Sequence, residues 1–207
     1  MSTKIGLISD VHATTAPLRD ALSIFQQEDV DIILCAGDIA GYGNELNQTI
    51  DLLIKSECQM ILGNHDVWLL SLPVDEEEKR VETFFKRLPF VLELTVEGKY
   101  IYVVHASPPC SYMRGIKLMD EYGNMLLNQI EQWTSHLRKF EHDVLIVGHT
   151  HQVFAEQLGR TLLINPGSTK FNNTCMILSL PNMEVQVLPL LNKTPLKVWN
   201  WGMEQLY

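Results

Sequence analysis

Short apolar runs, each closed by a glycine or a polar side chain, recur along the chain. Residues 5–9, 32–36 and 60–63 are too short for free-standing helices and read as strands buried on both faces. Between them lie stripes at helical spacing. Thr15 and Pro17 mark a helix start, and Leu18, Ala21, Leu22 and Phe25 follow at i, i+3, i+4 and i+7. Gly41-Tyr42-Gly43 forms a loop that Asn44 is placed to close as an N-cap, before the stripe Leu46, Ile50, Leu53 and Ile54. The opening third therefore predicts β-α-β-α-β, a parallel sheet with right-handed crossovers.

Val81, Phe84, Phe85 and Leu88 form a further helical stripe, with Asp75-Glu76-Glu77-Glu78 as its solvated first turn. From Pro89 the pattern changes. Runs 90–96 and 99–104 flank Glu97-Gly98, a hairpin signal, and an irregular segment 106–115 follows. Leu126, Ile130, Trp133 and Leu137 predict a long helix, and 144–148 another buried strand. Runs 154–158 and 161–164 pair around Gly159-Arg160, and 174–180 and 184–188 meet at Pro181-Asn182. A parallel first half and a hairpin-rich second half are both satisfied by an α/β fold of two mixed sheets stacked face to face, helices outside. No linker or repeat divides residues 1–207, which predicts one domain. The tail Val198-Trp199-Asn200-Trp201 is apolar enough to pack on the body or on a second subunit, so a homo-oligomer is open.

Composition narrows the class. With 46% apolar residues the 207-residue chain can bury a full core. No apolar run approaches the ~20 residues that span a bilayer. The N-terminus leads straight into a strand, which places the protein in the cytoplasm. Cys35, Cys58, Cys110 and Cys175 form no Cys-x-x-Cys pair and demand neither disulfide nor zinc knuckle. A net charge of −9 opposes non-specific nucleic-acid or membrane binding. It does not oppose a small anionic substrate, because bound divalent cations reverse the local sign.

Five apolar runs end in side chains that bind metals. Residues 5–9 run into Asp10-Val11-His12, 32–36 into Gly37-Asp38, 60–63 into Asn64-His65-Asp66, 100–104 into His105, and 144–148 into His149-Thr150-His151. Strand carboxyl ends are where open α/β sheets bind ligands. Of seven histidines only His136 and His142 lie elsewhere. A single Asp after a strand is commonly a helix cap, which is the reading for Asp66. Histidines gathered at strand ends need another account: one site built from five strand termini. Two Asp, one Asn and four His suit two divalent transition-metal ions, manganese in the first place, with iron, zinc and nickel also fitting. One ion can take Asp10, His12 and His151, the other Asn64, His105 and His149, with Asp38 bridging. A bridging water would then ionise near neutrality, between ions ~3.5–4 Å apart.

Asp10-x-His12, Gly37-Asp38-x-x-Gly41, Gly63-Asn64-His65-Asp66, His105 and Gly148-His149-Thr150-His151 carry a resemblance. In type, order and spacing they resemble the calcineurin-like metallophosphoesterases, from residue 5 to about residue 168. Asn165-Pro166-Gly167-Ser168 and the short length are similar to the small bacterial and archaeal phosphodiesterases of that superfamily. The resemblance implies a four-layer α/β/β/α sandwich, a dinuclear centre with the ligands above, and His65 beside the leaving group. It implies a metal-dependent phosphoesterase, a phosphodiesterase first, attacking with a metal-bridging hydroxide. Cleavage of a dinucleoside polyphosphate or a phosphomonoester is the alternative. A non-catalytic scaffold is the rival from another class, and would be expected to lose His65 or part of the ligand set. One position departs from the pattern. Phosphoprotein phosphatases of the superfamily carry an Asp where Gly41 stands, and it orients the histidine matching His65. For substrate contact the candidates are Arg114, whose guanidinium can fork onto phosphate, and Tyr42.

Overall fold

The computed structural model describes residues 2–73 and 79–199. Its first sheet begins with β1 (Thr3–Ile8), α1 (Thr15–Gln27), β2 (Ile32–Cys35), α2 (Leu46–Lys55) and β3 (Gln59–Met60). Helices α3 (Asn64–Leu70) and α4 (Lys79–Phe85) lead to the hairpin β4 (Val91–Val96) and β5 (Lys99–Val104). Then come α5 (Leu127–His136), β6 (Val144–Ile146), β7 (Val153–Leu158), β8 (Thr161–Pro166), β9 (Thr174–Leu180) and β10 (Glu184–Pro189). One five-stranded sheet has the order β10-β9-β1-β2-β3, the other β4-β5-β6-β8-β7. Both are mixed. β1 pairs parallel to β2 and antiparallel to β9, and β6 pairs parallel to β5 and β8.

Strand alternation sorts the core into layers. Ile5 and Leu7 of β1 join Ile101 and Val103 of β5 between the sheets. Ile8 and Cys35 face outward to Leu18 and Phe25 of α1 and Leu53 of α2. Tyr102 and Val104 of β5 point the other way, under Leu137, Ile130 and Trp133. The layers are thus α/β/β/α, as the hydrophobic pattern predicts.

Several local expectations need correction. Asn44 is not the N-cap of α2; Glu45 holds that position and makes no cap bond there. Its carboxylate instead accepts from the Thr15 backbone N–H (2.9 Å) and hydroxyl (3.0 Å), serving the first turn of α1. The third strand is only two residues long, because the Leu62 N–H leaves the sheet for the Pro89 carbonyl at 2.9 Å. Helix α3 has no periodic stripe to announce it. The α5 stripe is half-buried, and the buried Leu137 belongs to a following 3-10 turn. The acidic run 75–78 lies outside the described residues.

Gly6 marks the tightest helix-on-sheet approach. A Cβ there would lie 2.8 Å from the Phe25 ring, which is itself buried. Gly6→Ala should therefore lower unfolding free energy by about 1–3 kcal/mol, the usual cost of overpacking. Urea denaturation measures it, and an unchanged midpoint would show that α1 moves away freely.

Candidate metal centre

All seven candidate ligands meet where the strands β1, β2, β3, β5 and β6 end. The loops are knitted together by backbone bonds. Asp10 N–H donates to Gly37 O at 3.0 Å, His12 N–H to Asp38 O at 3.0 Å, and Gly148 N–H to His105 O at 2.8 Å. Asp10 (φ 51°), His12 (49°), Asp38 (53°), His149 (67°) and His151 (48°) all occupy the left-handed region. Non-glycine residues rarely do so, and each such residue is held against its own preference by its surroundings. Five of the seven candidate ligands thus carry backbone strain.

The donors fall into two groups. Asp10, His12 and His151 place one ligand atom each within 4.8 Å of one another, and so do Asp38, His105 and His149. In the first, His151 Nε2 lies 3.2 Å from both His12 Nε2 and Asp10 Oδ1. In the second, His105 Nε2 lies 3.4 Å from Asp38 Oδ2, and Asn64 Oδ1 lies 3.1 Å from His105 Nε2 and 2.7 Å from His149 Nδ1. Bonds of about 2.1 Å to one cation put neighbouring donors ~3.0 Å apart in octahedral and ~3.4 Å apart in tetrahedral geometry. The observed spacings fit.

Asn64 tests the fit independently. Its amide oxygen faces two imidazole nitrogens. Turned over, the amide nitrogen would donate to His149 Nδ1, His105 Nε2 and Asp38 Oδ2 at 2.7, 3.1 and 3.2 Å. With neutral imidazoles and no cation the turned amide is the better hydrogen-bonding arrangement, whereas a proton on His105 Nε2 favours the oxygen. A cation among these donors also favours the oxygen, because only the oxygen can ligate it.

The surrounding shell orients the imidazoles. His12 Nδ1 donates to Ala40 O (3.1 Å) and His105 Nδ1 to Ala36 O (2.6 Å), so each Nε2 lone pair points inward. Asp66 is buried and acts as a tie between loops. Its carboxylate accepts from Ala40 N–H at 2.7 Å and from Gly63 N–H at 2.9 Å, the latter as the cap of α3. Beside the His12–Ala40 bond sits Gly41 at φ 135°, and a Cβ there would lie 2.5 Å from His12 Nδ1.

Charge is concentrated and dry. Burial pushes the Asp10 and Asp38 carboxyls up, but the imidazoles around them, His151 for Asp10 and His105 for Asp38, hold both below the usual range. Burial pulls His105 down, yet Asp38 beside it holds the imidazole up at about 9. Burial takes His12 down to about 4, and burial with repulsion from Asp38 pushes Asp66 up to about 7.

The centre opens into a cavity of about 350 Å³. Asn64, His65, Tyr42, Lys117 and Trp199 are among its walls. His65 stands half-buried at the rim. Its N–H donates to Asp38 Oδ1 at 2.8 Å, and its ring meets Tyr42 edge-on at 4.7 Å and His12 at 5.0 Å. Its ligand atom also lies within 4.8 Å of those of His12 and Asp38. Tyr42 is where it was expected, but Arg114 is exposed and does not line the cavity. Lys117, three residues on in the segment 107–117 that sequence favours for substrate choice, lines it instead, together with Trp199 of the apolar tail. Of the apolar tail, Val198 and Trp199 pack on the body: Val198 bridges Gln152, and the Trp199 backbone N–H donates to His151 O at 3.0 Å, while residues 200 and 201 lie outside the described residues.

Two predictions follow from this geometry. At about pH 7.5 the metal-free centre keeps a proton on His105, and a cation must displace it. Metal loading should release about one proton from this group, and affinity should weaken as pH falls below about 9, because protons then compete better. Calorimetric titration in buffers of different ionisation enthalpy reads both, and a pH-independent affinity would contradict the pairing. Gly41→Ala should displace His12 and weaken metal binding by about tenfold or more. Elemental analysis and titration check it, with circular dichroism confirming the fold.

A calcineurin-like phosphoesterase superfamily domain matches residues 3–182. A phosphodiesterase of Methanocaldococcus jannaschii is 24% identical over 178 residues, covering 79% of this chain and 82% of its own. A Pyrococcus horikoshii OT3 protein superposes with a TM-score of 0.73 at 14% identity, over 98% of this chain and 91% of its own. A Sphaerobacter thermophilus metallophosphoesterase gives 0.69 at 20% identity, over 92% and 89%. With the ligand geometry in place and the family match spanning nearly its whole length, this chain belongs to the calcineurin-like phosphoesterase superfamily.

Proposed function

We propose that this chain is a cytoplasmic phosphodiesterase that works with two divalent transition-metal ions, manganese first among them. The observation that carries the reading is the convergence of two ligand clusters at Asp38, with His65 on the rim of the cavity they open into. Four cysteines without a disulfide fit a reducing compartment. When bound, the two ions would lower the pKa of water toward neutrality and stabilise charge on the entering and leaving oxygens.

The chain's own residues supply the rest. Asp10, His12 and His151 would hold one ion and Asn64, His105 and His149 the other, with Asp38 available to both. Lys117 lends a positive charge to the cavity, where a small phosphoester binds. His65 donates a proton to the leaving oxygen from the rim. A scaffold on the same fold has no use for a complete ligand set with His65 beside it, which favours the enzyme. A manganese-loaded panel of diester, monoester and dinucleoside polyphosphate substrates tests the reading, with the highest kcat/KM expected on the diester. A preference for either other class would overturn the substrate assignment, and no turnover of any would return the scaffold.

Two variants separate binding from catalysis. Asp38→Asn should weaken both sites and abolish activity while the sheets stay folded; two tightly held equivalents by elemental analysis would remove the shared-ligand role. His65→Asn should keep its metal and slow an alkyl diester by about 10²-fold or more, within the range of general acid catalysis. A nitrophenyl diester, whose leaving group needs little protonation, should slow much less. Equal losses on both would exclude proton donation, and loss of metal would make His65 a ligand.

A further inference from the structure

We infer that the segment after β10, residues 190–199, is a wall of the active site, and that Trp199 selects phosphodiesters whose retained arm is a nucleoside. The inference rests on the phosphodiesterase reading and adds the substrate class. The family match ends at residue 182, so this wall lies beyond the matched residues.

The segment is fastened to the ligand loop rather than loosely draped. Asn172 makes the central tie: its side-chain amide donates to His151 O at 3.0 Å and to Leu196 O at 2.8 Å. Leu196 N–H returns a bond to Asn172 O at 2.9 Å, and Val153 N–H donates to Lys197 O at 2.8 Å. Trp199 is thereby held beside His151, lining the same cavity as Asn64 and His65.

Three rings then form a stack that starts at a metal ligand. His151 lies against Phe171 with centroids 5.3 Å apart and planes inclined 24°, and Phe171 against Trp199 at 5.0 Å and 18°. One face of the indole rests on Phe171, its Nε1 is buried, and the half-buried ring lines the cavity. A flat aromatic ring in the wall of the cavity that the candidate metal ligands open into is a surface on which a nucleobase can stack. Base-on-aromatic stacking is sequence-tolerant, so the platform selects a nucleoside without choosing among bases.

The test compares two esters with one leaving group: thymidine 5′-(4-nitrophenyl phosphate) and methyl 4-nitrophenyl phosphate, on manganese-loaded protein. Wild type should prefer the nucleoside ester. Trp199→Ala should cut the ratio of the two kcat/KM values by about tenfold, mainly through KM of the nucleoside ester. Trp199→Phe, which keeps a stacking ring on Phe171, should retain part of the preference and guards against a folding defect. An unchanged ratio in Trp199→Ala, or a wild type that favours the methyl ester, would overturn the inference. If wild type hydrolyses neither ester, the phosphodiesterase reading fails, and binding decides the platform separately. Thymidine 5′-monophosphate should then bind the loaded protein tighter than methyl phosphate, with the advantage lost in Trp199→Ala; equal binding by wild type would overturn it.

Discussion

Two carboxylates withdrawn from water govern this structure. Asp10 is 0% exposed and Asp38 2%, and unpaired burial of either ion would cost several kcal/mol. Part of that cost is offset by imidazoles, His151 against Asp10 and His105 against Asp38. Such pairing needs groups from distant parts of the chain to meet at one point. Parallel strands deliver it, because their carboxyl ends all open on the same edge. The sandwich then brings the ends of β5 and β6 against those of β1 and β2. The fold and the site are thus one solution to one electrostatic problem, and bound cations would complete it by replacing the proton on His105.

That requirement explains why strain is tolerated at the site. Five ligand residues sit at positive φ. The bonds that hold them there are backbone bonds between loops, and Asp66 adds a carboxylate tie to Ala40 and Gly63. Ala40 donates its N–H to Asp66 and accepts from His12 at its carbonyl, so Asp66 and His12 are linked through one residue. The cap role that sequence suggests for Asp66 is real. What the sequence could not display is that the same carboxylate also reaches a loop 26 positions away.

Legibility followed locality. The ligands could be found because each directly follows an apolar run, and a strand end is written in consecutive residues. Helix α3 could not, since its N-cap is Gly63 and its seven residues offer no repeating stripe. Arg114 and Lys117 show the limit within one loop. Ser107 Oγ donates to Arg114 O at 2.7 Å, and the Ser111 hydroxyl accepts from Arg114 N–H at 3.0 Å. These turn contacts decide which cationic side chain lines the cavity, and composition carries no trace of them. The apolar tail was legible as a packing surface. Its partner was not, because Asn172, Phe171 and His151 are remote in sequence from Trp199.

Gly41 ties the departure from the phosphoprotein phosphatase pattern to the geometry of the centre. An Asp at this position orients the rim histidine in those enzymes, but here any Cβ would intrude on His12 Nδ1. The loop therefore gives up a carboxylate and keeps a close approach between backbone and ligand. Orientation of His65 falls to its neighbours instead. The Asp38 carboxylate accepts the His65 backbone N–H and so fixes the main chain there, and the rings of Tyr42 and His12 flank its imidazole edge-on. Ring packing restricts rotation of the imidazole without adding a negative charge beside an anionic phosphoester.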